Sequence, residues 1–185
     1  MIKKLRPKKC RNCKQKFEPY TSLQVVCGVK CSIEYSKTQN EKKALKKARI
    51  EKKQGHEALM THSDWKQKYQ TIFNTFIRMR DINKGCVSCH TPLTNRKFDA
   101  GHFYPTTYEA IRFDERNVHG QCVPCNRNKH GNLHEYRKNI TNRIELYDLQ
   151  WLEYHRHSTL KLSIPEIKEK IKIYKEKIKE LKKTN

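Results

Sequence analysis

The chain has 185 residues, 35% of them hydrophobic and 32% charged, with 41 Lys and Arg against 19 Asp and Glu and a formal charge of +22. That balance excludes one large apolar core and favours small modules stapled by something else. It also points to an anionic polymer as partner, nucleic acid before an anionic membrane surface; with no long apolar run, and no signal-peptide core in MIKKLRPKKC, no membrane attachment and a cytosolic location are expected.

The eight cysteines form four close pairs, Cys10/Cys13, Cys27/Cys31, Cys86/Cys89 and Cys122/Cys125. In a reducing cytosol such pairs read as metal sites rather than disulfides. Two pairs per tetrahedral ion give two structural Zn²⁺ sites with no cysteine left over. His90 follows Cys89 directly and is an alternative ligand that complete pairing makes unnecessary.

The first module is CRNCKQKF followed by VVCGVKC, with thirteen residues between the pairs, enough for a knuckle and a short hairpin. SIEYSKTQNEKKALKKARIEKKQ then reads as a helix, because Ala, Leu, Lys, Glu and Arg dominate and Pro and Gly are absent until Gly55. A knuckle leading into a helix at the second pair predicts a treble-clef-like finger. Residues 1–56 carry 17 Lys and Arg against 4 Glu, so the helix reads as an arm that tracks phosphates rather than as an ordinary solvated face.

Gly55 and THSD punctuate the chain, and Ser63 or Asp64 is expected to cap the next helix. In DWKQKYQTIFNTFIRMRDIN the residues Trp65, Tyr69, Ile72, Phe73, Phe76 and Ile77 recur at three- and four-residue steps. That spacing assigns these aromatics to a core ahead of base stacking. After residue 131 come LHEYRKNI and RIELYDLQWLEYHRH, two helical pieces broken near Asn142. The last helix has Ser163 as N-cap, Pro165 in its first turn, and a stripe of Ile167, Ile171, Tyr174, Ile178 and Leu181. So narrow a stripe predicts a helix-pairing seam, against the long basic helix or a second copy of the chain.

The second cysteine quartet brackets 32 residues, long for a plain zinc ribbon and long enough for an active-site hairpin. FDAGHFYPTT places Asp99 and His102 three residues apart in or beside a strand. NVHGQCVPCNRNKHG adds Asn117, His119, Asn126 and His130 around Cys122 and Cys125. On a helix starting near Cys125, Asn126 and His130 share one face.

Asp-x-x-His, then Asn, then CxxCNxxKHG resembles the HNH, or ββα-metal, nuclease family. Most of the chain, from the amino-terminal finger through DAGHF and NVHGQCVPCNRNKHG, resembles the NinG (Rap) recombination proteins of lambdoid bacteriophages. The resemblance implies a zinc-stapled ββα active site and cleavage of branched recombination intermediates, Holliday junctions and D-loops, in the infected host's cytoplasm. Two-fold junctions, with the terminal stripe, imply a homodimer.

The residues fit the chemistry. Phosphodiester hydrolysis needs a base for water and a cation for the charge on the phosphate and leaving oxygen. His102 suits the base. Asp99 and Asn126 offer hard oxygens for Mg²⁺ or Mn²⁺, and His130 adds a nitrogen or binds phosphate. Asn117 orients the histidine-bearing loop. Arg116, His119, Arg127 and Lys129 are candidate DNA contacts. Many HNH proteins carry an acidic residue or His immediately before the base; here that position is Gly101, and Asp99 takes its place.

The expected class is therefore α+β, mainly helical: a four-cysteine zinc finger (1–35), a basic and an amphipathic helix (36–84), a small zinc-stapled HNH-like core (85–134) and carboxy-terminal helices (135–185). The expected function is a metal-dependent endonuclease. The competing function is a non-catalytic zinc protein that binds nucleic acid, a recombination mediator or ribosome-associated factor. A calmodulin-like or membrane target on the terminal helix is the weakest reading.

Overall fold

The computed structural model describes residues 5–184, so the first four residues of the expected finger and Asn185 lie outside the described residues. The fold is mainly helical, with two small two-stranded sheets. The chain forms two compact units that divide between Leu59 and Met60.

In the first unit, β1 (Lys8–Lys9) pairs antiparallel with β2 (Lys16–Phe17), and the knuckle between them carries Cys10 and Cys13. Lys14 turns the knuckle at φ 65°, and its amide donates to the Cys10 carbonyl at 3.0 Å. Cys27 precedes α1 (Val29–Ala58) and Cys31 sits in its first turn. Asn12 donates to Glu34 at 2.5 Å, tying knuckle to helix. The rest of α1 is supported by little but propensity: none of its residues is buried. It runs through Gly55, which the sequence reading took as a break. Glycine inside a helix costs only about 1 kcal/mol relative to alanine, and the strong helix formers around it outweigh that.

The second unit is built on α2 (His62–Asp81). Thr61, rather than Ser63 or Asp64, is its N-cap, and Asp64 completes the capping box as the residue that accepts from the Thr61 amide at 2.8 Å. Trp65, Tyr69, Phe73, Phe76 and Ile77 are buried, as their spacing predicts. They meet Ile167, Ile171 and Tyr174 of α5 (Ile164–Thr184), and Ile178 and Leu181 pack against the same cluster. The terminal stripe is thus a seam, and the helix it packs on is α2 of the same unit, where the stripe alone suggested the basic helix or a second copy. α5 starts as read, with the Ser163 hydroxyl donating to Glu166 at 2.6 Å.

Against α2 lies an antiparallel hairpin, β3 (Phe98–His102) and β4 (Val118–Cys122), with Asp99 opposite Gln121 and His102 opposite Val118. Its docking is electrostatic as well as apolar. Asp81, fully buried at the end of α2, accepts from Arg80 at 2.8 Å through both oxygens and from the Gly120 amide at 2.8 Å. Arg80 also donates to the Val118 carbonyl at 2.8 Å. Gly120 permits this approach: a Cβ there would lie 2.9 Å from Leu93 and 3.0 Å from the Asp81 Cβ. A second core gathers Val87, Phe103, Tyr104, Ile111, Tyr136, Ile140 and Leu152, drawing on the hairpin connection, α3 (Leu133–Asn139), the 3₁₀ turn Ile140–Asn142 and α4 (Leu146–His155).

Both cysteine quartets assemble, each with its four sulfurs within 4.8 Å of one another. Measured separations are 3.7 Å for Cys13–Cys27, 3.5 Å for Cys27–Cys31 and 3.7 Å for Cys89–Cys122. A tetrahedral ion with Zn–S near 2.3 Å needs sulfur–sulfur edges of roughly 3.8 Å, so both sets are sized for zinc. The first set holds its protons unevenly: Cys31, Cys13 and Cys10 push the Cys27 thiol up to about 12, while, against the effect of burial, hydrogen bonds from the Cys27, Cys13 and Asn12 amides bring Cys10 down to about 6. His90 lies outside the second cluster, which four cysteines complete.

Metal analysis of the purified chain is expected to return one zinc for each of the two clusters. Cys122→Ser should remove one ion and the cooperative melting of the second unit, since structural zinc contributes on the order of 10 kcal/mol. Cys31→Ser should remove the other ion and leave that melting in place. Asp81→Asn should keep both ions yet lower the second unit's stability by roughly 3 kcal/mol or more, measured by urea unfolding, because it strands a buried guanidinium.

Candidate functional site

The hairpin, α2 and the segment after Cys125 enclose an open cleft of about 460 Å³. His102 at the end of β3, Asn126 and His130 all line it, so three of the sequence-predicted residues meet on one surface. The helix expected from Cys125 is instead a single π-helical turn, Pro124–Asn128. His130, Gly131 and Asn132 follow with φ of 47°, 89° and 43°. This left-handed run ends the turn, and the Gly131 amide closes it by donating to the carbonyls of Cys125 and Asn126. Asn126 and His130 therefore share the cleft without sharing a helical face.

His102 has a defined tautomer. Its Nε2 lies 3.1 Å from the Arg112 carbonyl, which can only accept, so Nε2 carries the hydrogen and Nδ1 keeps its lone pair. Burial pushes its pKa down to about 4, opposed in part by that carbonyl. The imidazole is neutral at physiological pH. Asn117, fully buried, secures the connection beyond it: its Oδ1 accepts from the Tyr104 amide at 2.8 Å, and its Nδ2 donates to the Tyr104 and Ile111 carbonyls at 3.1 Å. Every polar atom of this side chain is spent on backbone. Asn117 is a positioning residue and does not line the cleft.

Asp99 is three residues from His102, which strand alternation places on the opposite face of β3. It does not itself line the cleft and is tied to it by Asn126, whose Nδ2 donates to its Oδ2 at 3.0 Å. Arg127 grips both carboxylate oxygens at 2.8 Å. Arg127 first, with Asn126 and the more distant Arg78 adding to it, holds the Asp99 carboxyl below the usual carboxylate range. At Gly101, the residue before His102, the packing leaves no room for a side chain. A Cβ at Gly101 would lie 2.2 Å from Gln121 Oε1, and Gln121 is fixed by donating to Ser88 at 2.7 Å and to the Gly131 carbonyl at 2.6 Å. No ligand-bearing side chain fits there.

The candidate DNA contacts separate. His119 is 3% exposed and shares a 3.0 Å hydrogen bond with the Tyr136 hydroxyl, so it belongs to the core and has no surface to offer a phosphate. Burial, with Arg80 nearby, pushes it down to about 3. Arg116 is committed to Asp114 at 2.7 Å and Asp148 at 3.1 Å, and lies over the Trp151 ring. Arg127 is held by Asp99. Lys129 is exposed and, among the described residues, its ammonium has no partner.

Sequence reading missed the opposite wall. Gln70 and Asn74 of α2 line the cleft, joined by a 2.7 Å hydrogen bond, and Arg112 donates to Gln70 at 2.8 Å. The available signal was their four-residue spacing beside the aromatic stripe, which marks a polar strip on a mostly buried helix.

Among the described residues no helix is long and apolar enough to cross a membrane. No solved structure matches the chain. Three phage proteins, each named Protein ninG, are similar to it over almost their whole lengths. The one from Escherichia phage 933W is 38% identical, covering 95% of this chain and 94% of its own. That of Escherichia phage lambda is 36% identical, covering 98% and 97%. That of Salmonella phage P22 is 36% identical, covering 95% and 94%. The family described as Bacteriophage Lambda NinG protein matches residues 2–184, and with relatives this similar along the full chain, the chain belongs to the bacteriophage NinG family.

Proposed function

We propose that the chain is a metal-dependent DNA endonuclease of the ββα-metal type. The observation that carries this is the convergence of a neutral, tautomer-defined His102 with Asn126 and His130 on one cleft, with Asp99 bonded to Asn126. His102 Nδ1 takes the proton from the attacking water. Its Nε2–H stays on the Arg112 carbonyl, so the ring keeps its orientation as it charges. Asn117 holds the connection that supplies that carbonyl.

One carboxylate and one amide oxygen suit a hard cation by donor type, so Asp99 and Asn126 are the residues that would hold Mg²⁺ or Mn²⁺. When bound, the ion supplies charge stabilisation to the phosphate and leaving oxygen. Arg127 must first release Asp99, which frees a guanidinium for phosphate. His130, Lys129 and Arg112 are the other groups placed to meet the strand. Branched DNA as the substrate rests on the resemblance to recombination proteins. A dimer is required only if both strands of a symmetric junction are cut together, and α5 is already spent on α2.

A second reading has an observation in its favour. The Asp99–Arg127 pair is complete as it stands, as expected of a zinc protein that binds nucleic acid without cutting it. The two readings part on one experiment. Incubated with a labelled four-way junction and Mg²⁺ or Mn²⁺, the wild type should cut, and His102→Ala should lose roughly 10²–10⁴-fold in rate while still binding. Equal cutting by both proteins would remove His102 as the base; no cutting under either ion would favour the second reading. Because His102 is held near 4, the acid limb of kcat/KM should fall close to pH 4 and not near the ordinary histidine value of about 6.5. Binding itself should weaken by about 10³-fold or more between roughly 50 and 200 mM salt, since a polycation of this charge releases many counterions.

A further inference from the structure

The outward face of α4 carries a surface that the cleft does not use. Leu149 and Leu152 turn inward to the second core. Tyr147 and Tyr154 are seven residues apart, which at 100° per residue sets them within about 20° of arc on the other side, while Trp151 between them packs on the second core. Tyr147 is 72% exposed and Tyr154 82%. Trp151 lies parallel to His155 at 4.0 Å, and the Tyr154 ring meets His155 edge-on at 5.0 Å. Arg116 lies over Trp151 at 3.9 Å from the ring centroid. Two exposed tyrosines on the solvent side of a helix whose Leu149, Trp151 and Leu152 already fill its core face call for an occupant.

We propose that this face stacks unpaired bases of a nucleic-acid strand, an inference that rests on nucleic acid being the partner. Three observations favour that occupant. The nearby carboxylates are already neutralised, Asp148 by Arg116 at 3.1 Å and Glu153 by Arg156 at 2.8 Å, so they do not repel a polyanion. The face offers two exposed flat rings, which suits planar bases; the +22 chain supplies the phosphate attraction. The face is also continuous in sequence with the cleft. Pro105, Thr106 and Arg112 of the β3–β4 connection line the cleft, while Arg116 of the same connection reaches Trp151. A duplex keeps its base faces stacked internally, so only unpaired nucleotides can use such rings.

The test uses the full, zinc-loaded chain without added Mg²⁺ or Mn²⁺, so that cleavage plays no part. Anisotropy is measured with a labelled oligothymidylate and with a duplex bearing the same number of phosphates. The double variant Tyr147→Ala/Tyr154→Ala should lose at least about fivefold in affinity for the single strand and less than about twofold for the duplex. The double variant Tyr147→Phe/Tyr154→Phe should bind both like wild type, because the ring and not the hydroxyl does the stacking. Unchanged single-strand binding in the alanine variant, an equal loss on both probes, or phenylalanine variants as weak as alanine would overturn the inference. A chain that never cuts DNA yet shows this differential would remove the nuclease reading and leave the stacking face standing.

Discussion

The eight cysteines gather as two quartets, each with its four sulfurs within 4.8 Å of one another and so sized to share one zinc ion, and each unit contains one of them. In the second unit the quartet joins the turn at Cys86–Cys89 to the end of β4 and to the π-helical turn. The turn then delivers Asn126 and Arg127 to β3, and its left-handed exit delivers His130 to the cleft. A regular helix from Cys125 would have carried these side chains elsewhere. The polar residues crowded around the second CxxC pair are therefore placed by the turn that leaves the quartet, and Asn132 just beyond them donates to Cys125 Sγ at 3.4 Å.

The polar interior beneath the hairpin complements this staple. Asp81 and Arg80 are buried as a pair with near-complete hydrogen bonding, the arrangement in which a buried charge is tolerated. Next to them Tyr136 receives from His119 and donates to the Gly101 carbonyl, so a run of polar groups passes under β3 and β4. Among the described residues, Gln121 Oε1 is the one buried side-chain polar atom without a hydrogen-bond partner, and it is pressed against Gly101. Close packing of this one amide closes the position beside His102 to any larger residue. On the same strand Asp99 is held by Arg127 through both carboxylate oxygens.

The two units are stabilised in different ways. The second has two apolar clusters and a cysteine quartet. The first has a cysteine quartet and a 30-residue helix with no buried residue. A helix of that kind draws on intrinsic propensity and on its attachment at the Cys31 end, and its dense lysines stay hydrated and available. Charge in this protein is thus concentrated where packing is thinnest.

The amino-acid sequence alone determined the cysteine pairing into two quartets, the amphipathic face of α2, the capped start of α5 and the family resemblance, because metal spacing, helical period and capping chemistry are local. It also named the residues that meet at the cleft, His102, Asn126 and His130. What it could not assign were outcomes decided by distant contacts: that α5 pairs with α2, that His119 and Arg116 are consumed by Tyr136, Asp114 and Asp148, and that Asn117 acts on backbone alone. Gln70, Asn74 and Arg112 were missed for the same reason. A polar side chain shows its type in the sequence, but whether it faces a phosphate, a carboxylate or a neighbouring amide depends on which segment the fold brings opposite it.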